Sequence, residues 1–334
     1  MNKLIVNFTP SGIGALKQAR VGTKRVLISQ EPLFCPVSAN SDGEDFYVTQ
    51  KAFMQQLNFL GGLTLLTTDE LSPFAQIKNA LDDIDRIELW VDPALFAYIG
   101  AAQFLHTIKS MPDIKDRLWI NWLDYCCGLM NQRQILHREN RAVSAKDTVY
   151  DEASLIWLAY RHHTPEKWHQ LRHYHPRHFE YWPIFNVWML QQLPHHKSGI
   201  RQISRHILSV MDGGKHVDHI VGDILGENFD PPHYANDYNL FTSINRLASA
   251  YTPALTNISL PGYDYWDDNI QRGEEWTLFC KSKPILTPFG QSLLNGEANW
   301  RDYNTIDLWW GGTHITDNNY WSYDPSADTL FADQ

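Results

Sequence analysis

Apolar residues in the first half of the chain come in short runs separated by helical periodicity. Residues 3–8 form a compact apolar run, Thr9-Pro10-Ser11-Gly12-Ile13-Gly14 reads as a turn, and residues 15–20 open a helical pattern, which gives strand, loop, helix. Further strands are predicted at 24–29, 63–67, 86–91 and 117–123, with helices at 72–81 and 95–110. Apolar strand runs alternating with helices call for a mainly parallel sheet covered on both faces. After Asp147 the strand pattern gives way to helical spacing. Thr164-Pro165 is a cap and first-turn pair for a helix running to about His173, and residues 183–193 continue the pattern. Three amphipathic segments follow, marked by Ile200, Ile203 and Ile207, then Val217, Ile220, Val221 and Ile224, then Phe241, Ile244, Leu247 and Ala248. The pair Gly213-Gly214 bends the chain after the first, and three short helices of this kind are compatible with a winged-helix core. From Tyr263 onward the chain is aromatic and turn-rich, with a helix at 287–294 and strands at 306–310 and 320–323.

The expected fold is therefore α/β: a Rossmann-like parallel sheet over residues 1–147, then a mainly helical region over 148–334 with a winged-helix-like unit and a small aromatic β element. Length supports two domains, since 334 residues exceed what one core usually organises. Thirteen tryptophans add an expectation of aromatic packing. Cys35, Cys126, Cys127 and Cys280 have no Cys-x-x-Cys spacing, which fits reduced thiols, and no run approaches the ~18 apolar residues of a membrane span. With too short an apolar run for a signal peptide at its start, the chain is expected in the cytoplasm, away from membranes.

Net charge is −10, unevenly spread. Residues 1–150 carry 15 Lys and Arg against 16 Asp and Glu, residues 151–250 carry 9 against 10, and residues 251–334 carry 4 against 12. The last third is thus a poor surface for phosphate contacts.

Several blocks together resemble one family. They are Leu4-Ile5-Val6-Asn7 with the small-residue turn to Ala15-Leu16-Lys17, Leu89-Trp90-Val91-Asp92 before an apolar helix, the segment 193–208, Leu286-Thr287-Pro288-Phe289-Gly290 through Asn295-Gly296, residues 307–312, and Trp321-Ser322-Tyr323-Asp324. In this order they resemble the uncharacterised bacterial family known as domain of unknown function 1835. The chain departs at Phe8-Thr9-Pro10-Ser11, where the family more often shows Gly-Asp-Ser. What the resemblance implies is a related fold; it transfers no catalytic residue.

Candidate chemistry gathers at the carboxyl ends of the predicted strands, where open parallel sheets bind ligands. Ser11, Gly12 and Gly14 follow the first strand, Glu31 the second, Asp92 the fourth and Asp124 the fifth. A glycine turn before a helix points free N–H groups outward and suits a phosphate or carboxylate. Asp92 and Asp124 could serve as acid/base groups, although Asp92 before Pro93 also has the form of a helix cap. Eight histidines lie between His162 and His196, and residues 161–205 hold Arg161, Lys167, Arg172, Arg177, Lys197, Arg201 and Arg205 against Glu166 and Glu180. This basic strip could contact an anion or nucleic acid, or be a solvated helical surface. No metal-ligand spacing appears. Trp309-Trp310-Gly311-Gly312 reads as a hairpin whose tryptophans close the core. The favoured reading is a protein that binds a phosphate-bearing or other anionic small ligand at the crest of the first sheet. Its alternative is a non-enzymatic regulator or scaffold that meets nucleic acid or protein through the helical half. The sequence names no cofactor, no metal and no oligomeric state, and leaves open whether the chain is an enzyme.

Overall fold

The computed structural model describes residues 1–28, 35–37, 43–56, 72–211, 213–227, 232–260 and 271–333. The expected strand at 63–67, Glu31 and Ser29 lie outside the described residues.

Five strands make the main sheet in the order β2-β1-β3-β4-β5: β1 (Lys3–Asn7), β2 (Lys24–Leu27), β3 (Arg86–Val91), β4 (Leu118–Trp122) and β5 (Val143–Ser144). The first four run parallel and β5 closes one edge antiparallel to β4. Strand alternation divides the apolar set between two faces. Ile5 and Trp90 pack with Leu16 of α1 (Pro10–Gln18) and Ile135 of α6 (Gln132–Glu139). Leu4, Val6, Leu89 and Val91 face the other way, toward α2 (Glu44–Gln56), α3 (Pro73–Ala80), α4 (Leu95–Ile108) and α7 (Asp147–Tyr160), the short α5 (Pro112–Lys115) lying between α4 and β4. Helix α4 is apolar almost all round because it is covered by the sheet on one side and by α7 on the other.

Residues 9–14 are not a turn. Helix α1 begins at Pro10, with Thr9 as its N-cap accepting from the Gly12 N–H, and proline suits this first position because its missing N–H would have had no helical partner. At Asp92 the helix-cap reading also fails: α4 starts at Leu95 after Ala94, no side chain caps it, and the Leu95 N–H donates to the carbonyl of His233 at 2.8 Å. The expected cap at Thr164 is likewise absent, since α8 (Glu166–Gln170) begins after Pro165 and the Thr164 hydroxyl donates to Glu166.

Beyond α8 come α9 (Trp182–Leu190), α10 (Gln202–Ser209), α11 (Val217–Glu227), α12 (Asp237–Ser249), β6 (Leu255–Thr256), α13 (Gln271–Lys281), β7 (Ile285–Leu286) and α14 (Pro288–Asn295). Helices α10 and α11 both pack on α12, and β6 pairs antiparallel with β7. Two hairpins end the chain, β8 (Asp307–Trp310) with β9 (Thr313–Thr316) and β10 (Tyr320–Asp324) with β11 (Thr329–Asp333). Among the described residues, no helix is long and apolar enough to cross a membrane.

Aromatic residues join the sheet layer to the helical half in one apolar cluster that runs from Leu4 to Tyr323. Trp168 lies 4.7 Å from Trp182 and 5.6 Å from Tyr160 between ring centroids, and its indole N–H donates to the Asn186 carbonyl while Asn186 donates back to the Trp168 carbonyl. Trp310 donates to the Met189 carbonyl at 2.7 Å. The β8–β9 turn fixes this arrangement from outside the cluster. Gly311 has φ +54°, the Gly312 N–H donates to the Tyr160 carbonyl at 3.0 Å, and a side chain on Gly312 would stand inside the van der Waals shell of the Arg161 carbonyl. Glycine is required at 312 by this backbone-to-backbone approach rather than by its torsion angle. Gly312→Ala is therefore expected to lower stability by at least about 2 kcal/mol in urea titration; an unchanged midpoint would mean that the hairpin does not rest on the end of α7.

Candidate functional site

The carboxyl rim of the sheet brings some of the expected residues together and separates others. Asn7, the last residue of β1, donates its amide to the Trp90 carbonyl at 2.9 Å and to Asp92 at 3.1 Å, and accepts from the Thr9 N–H and hydroxyl. Asp92 also accepts from the Cys127 N–H at 2.6 Å and from the Thr9 hydroxyl at 3.4 Å. Burial pushes its carboxyl above the ordinary carboxylate value, against the opposing pull of these donors. Gly12 is buried here because a side chain would collide with the Asn7 and Thr9 oxygens, and Gly128 has none because Ser11 lies against it. The thiols of Cys126 and Cys127 are pushed up by the same lack of solvent, with the Asp92 charge adding to the effect.

The rim thus gathers Asp92 with Gly12 but turns Asp124 away: Asp124 is exposed and pairs with Arg138 of α6. Ser11 and Gly14 are exposed, and nothing approaches Gly14. Of the expected anion donors Ser11, Gly12 and Gly14, the Gly12 amide already donates to the Thr9 hydroxyl; the neighbouring Thr9 and Ile13 amides also donate within the loop, and Pro10 has none. The sequence could not display this, because the donors are consumed by Asn7 and Thr9 rather than left open by a glycine turn.

The basic strip is also divided. Lys167 and Arg177 are exposed, and Arg161, Arg172 and Arg205 are half-buried. Arg172 lies 3.7 Å and His169 3.4 Å from Asp328, whose carboxyl the Tyr323 hydroxyl and these two bases hold below its usual range. Glu152 accepts from the Arg177 and His178 amides and from the His178 ring. Among the described residues, no group of three His, Cys, Asp or Glu side chains is placed to hold a metal ion.

Arg201 leaves the strip altogether. It stands at the start of α10, donates its Nε–H to the Gln192 carbonyl at 3.0 Å, and lines a cavity of about 440 Å³ together with Arg246 of α12. Ser204, Ser243, Trp309 and His314 complete the polar and aromatic wall, with Phe53 of α2 also reaching it. Both arginines keep partial contact with solvent across the open mouth, while their guanidinium ends are crowded by protein. Desolvation, joined by the positive charge of Arg246, lowers Arg201 to about 10, and desolvation lowers Arg246 against the opposing field of Asp307. Among the described residues, neither guanidinium has a carboxylate within 4.0 Å. Arg246 escapes a sequence reading because it is the lone cation of α12, and its partner lies 45 positions earlier in the chain; only the packing of α10 on α12 brings them together.

Two predictions test the rim. Asp92→Ala should strand the Cys127 amide and the Asn7 and Thr9 donors and cost on the order of 3 kcal/mol, whereas Asp124→Ala should cost under about 1 kcal/mol because its ion pair is exposed. The sign of the pH effect follows from the raised carboxyl. Between the ordinary value of 3.8 and the higher folded value, the folded protein holds a proton that the unfolded chain has released, so Asp92 contributes less stability as pH rises through that window. The stability of the native chain relative to Asp92→Asn should accordingly decline as pH rises above about 4 in urea titrations; a constant difference would show that the carboxyl titrates normally.

Searches against models of known protein families and against curated proteins find no match to this chain.

Proposed function

We propose that the chain binds a small anionic ligand, one bearing a phosphate or carboxylate group, between Arg201 and Arg246. The observation that carries this reading is the pair of desolvated guanidinium groups on one cavity wall with, among the described residues, no carboxylate within 4.0 Å of either. A desolvated cation without a partner costs free energy, and a second one nearby raises that cost. A ligand anion removes both penalties and offers the planar, two-pronged hydrogen bonding that guanidinium groups favour. The ligand class is the one expected from the sequence, but the reading moves from Ser11, Gly12 and Gly14 at the sheet rim to the α10–α12 cavity, because the Gly12 amide is spent on Thr9 and the cavity holds two desolvated cations.

Finer features of the reading rest on less. Four parallel strands with crossover helices support a Rossmann-like description of the first half, and the mutual packing of α10, α11 and α12 beside hairpins supports a winged-helix-like one for the second. The resemblance to domain of unknown function 1835 supports a bacterial, cytoplasmic protein of that family. For the competing reading, a regulator that touches nucleic acid or protein, the remaining support is exposed Lys167, Arg177 and Lys197; the strip's other cations are half-buried, drawn to Asp328, or turned into the cavity.

The test is thermal unfolding with sodium phosphate or sulfate at ionic strength held constant by potassium chloride. At tenfold excess over its dissociation constant, the anion should stabilise the protein by about 1.4 kcal/mol, a midpoint rise of roughly 2 °C for a chain of this length. Arg246→Met and Arg201→Met should abolish the rise while leaving the ligand-free midpoint equal or higher, since each removes an uncompensated cation. An equal rise in both variants would place the anion elsewhere, and no rise in the native protein would end the reading.

A further inference from the structure

We infer that the ligand of this cavity is of nucleoside-monophosphate class: one phosphate joined through a hydroxyl-bearing sugar to a flat base. This rests on the anion reading above and goes beyond it, since nothing about two arginines alone requires a ring.

Size is the first argument. The 440 Å³ cavity adjoins a second hollow of about 610 Å³, and the two share Thr242, Arg246, Trp300 and Asp307. A bare phosphate would leave most of this space empty, whereas cavities of about 300–1,000 Å³ suit ligands with tens of atoms. Arg246 stands where the hollows meet, so an anion held there projects its remaining atoms into one of them.

The wall supplies the second argument. Trp309 and His314, on the facing strands β8 and β9, stack with centroids 4.4 Å apart and planes within 4° of parallel, and both line the first cavity. His314 is fixed by a 2.7 Å hydrogen bond between its Nε2 and Asp307. Strand alternation sends Trp310 into the core and leaves Trp309 half-exposed, so this second indole is held rigid without being consumed by packing. A preformed parallel pair is a platform on which a flat ring gains stacking energy with little ordering cost. Ser204 and Ser243, both buried in the same wall, make no hydrogen bond with another described residue and are placed for sugar hydroxyls.

Charge supplies the third. Residues 251–334 carry 4 cations against 12 anions, and Asp307 lines both hollows. Two arginines match one phosphate; a triphosphate or a polynucleotide would bring further charges against that acidic surround.

The experiment measures binding of five classes of probe to the full chain by calorimetry at fixed ionic strength: inorganic phosphate, ribose 5-phosphate, the four ribonucleoside monophosphates, the matching nucleosides, and a single-stranded oligonucleotide. At least one nucleoside monophosphate should bind at least about fivefold more tightly than ribose 5-phosphate. Trp309→Ala should bring that affinity down to the ribose 5-phosphate level, leave the phosphate and ribose 5-phosphate affinities unchanged, and be rescued by Trp309→Phe. Saturation-transfer NMR on the native protein, which needs no variant, should mark the base protons more strongly than the ribose protons. Equal affinity for ribose 5-phosphate and every nucleotide, or a nucleotide preference that survives Trp309→Ala, would overturn the ring assignment while leaving the anion site standing. Tighter, steeply salt-dependent binding of the oligonucleotide would replace the small ligand with a nucleic-acid strand, and failure of all probes, phosphate included, would remove the anion reading itself.

Discussion

A buried carboxylate with no cation beside it holds the working end of the sheet together. Asp92 receives the Cys127 amide, the Asn7 side chain and the Thr9 hydroxyl, and through them it links the ends of β1 and β3 to the loop that follows β4. These oriented dipoles replace part of the lost water, and burial still raises the carboxyl above its ordinary value. Everything at that rim follows from this solvation: Asn7 is turned inward, Thr9 is fixed as the cap of α1, and Gly12 must lack a side chain so that both oxygens fit. A rim whose donors are committed to an internal charge has little left for a ligand.

The same rule gives the opposite result at the other buried charges. Among the described residues, Arg201 has the Gln192 carbonyl, and Arg246 feels the opposing field of Asp307 with no carboxylate within 4.0 Å. Dipoles do not replace water there, so the hydration deficit persists in the ligand-free protein. The buried acid receives three donors from its own fold and serves structure; the two arginines have no carboxylate within 4.0 Å among the described residues, and they line a cavity. The contrast between them, more than the identity of any one residue, locates the candidate site.

Much of the fold was legible in residue spacing, and the failures have physical causes. Runs at 86–91 and 95–110 became β3 and α4 nearly as expected, because alternation and helical periodicity are local properties. The segment 9–14 was misread because its glycines resemble a turn, although Gly12 is set by the approach of Asn7 and its backbone is helical. Asp92 before Pro93 has the form of a cap, yet the amide it would have served is taken by a carbonyl 138 positions away. Arg201 groups by sequence with the basic strip, and Arg246 is a lone cation in the sequence of α12. Pairing them needs the α10–α12 crossing, which no local pattern encodes.

The adjacent tryptophans at 309 and 310 show why composition alone could not separate structure from function here. A strand presents neighbouring residues to opposite faces, so one dipeptide supplies two environments. Trp310 is fully buried and spends its N–H on Met189, and its loss would be felt throughout the aromatic cluster. Trp309 makes one ordered contact, with His314, and lies against empty space. Gly311 and Gly312 hold the hairpin against α7 and so fix both rings at once. Rigidity won by packing one indole is passed along the backbone to the other, and a ring already immobile loses little entropy when a ligand covers it.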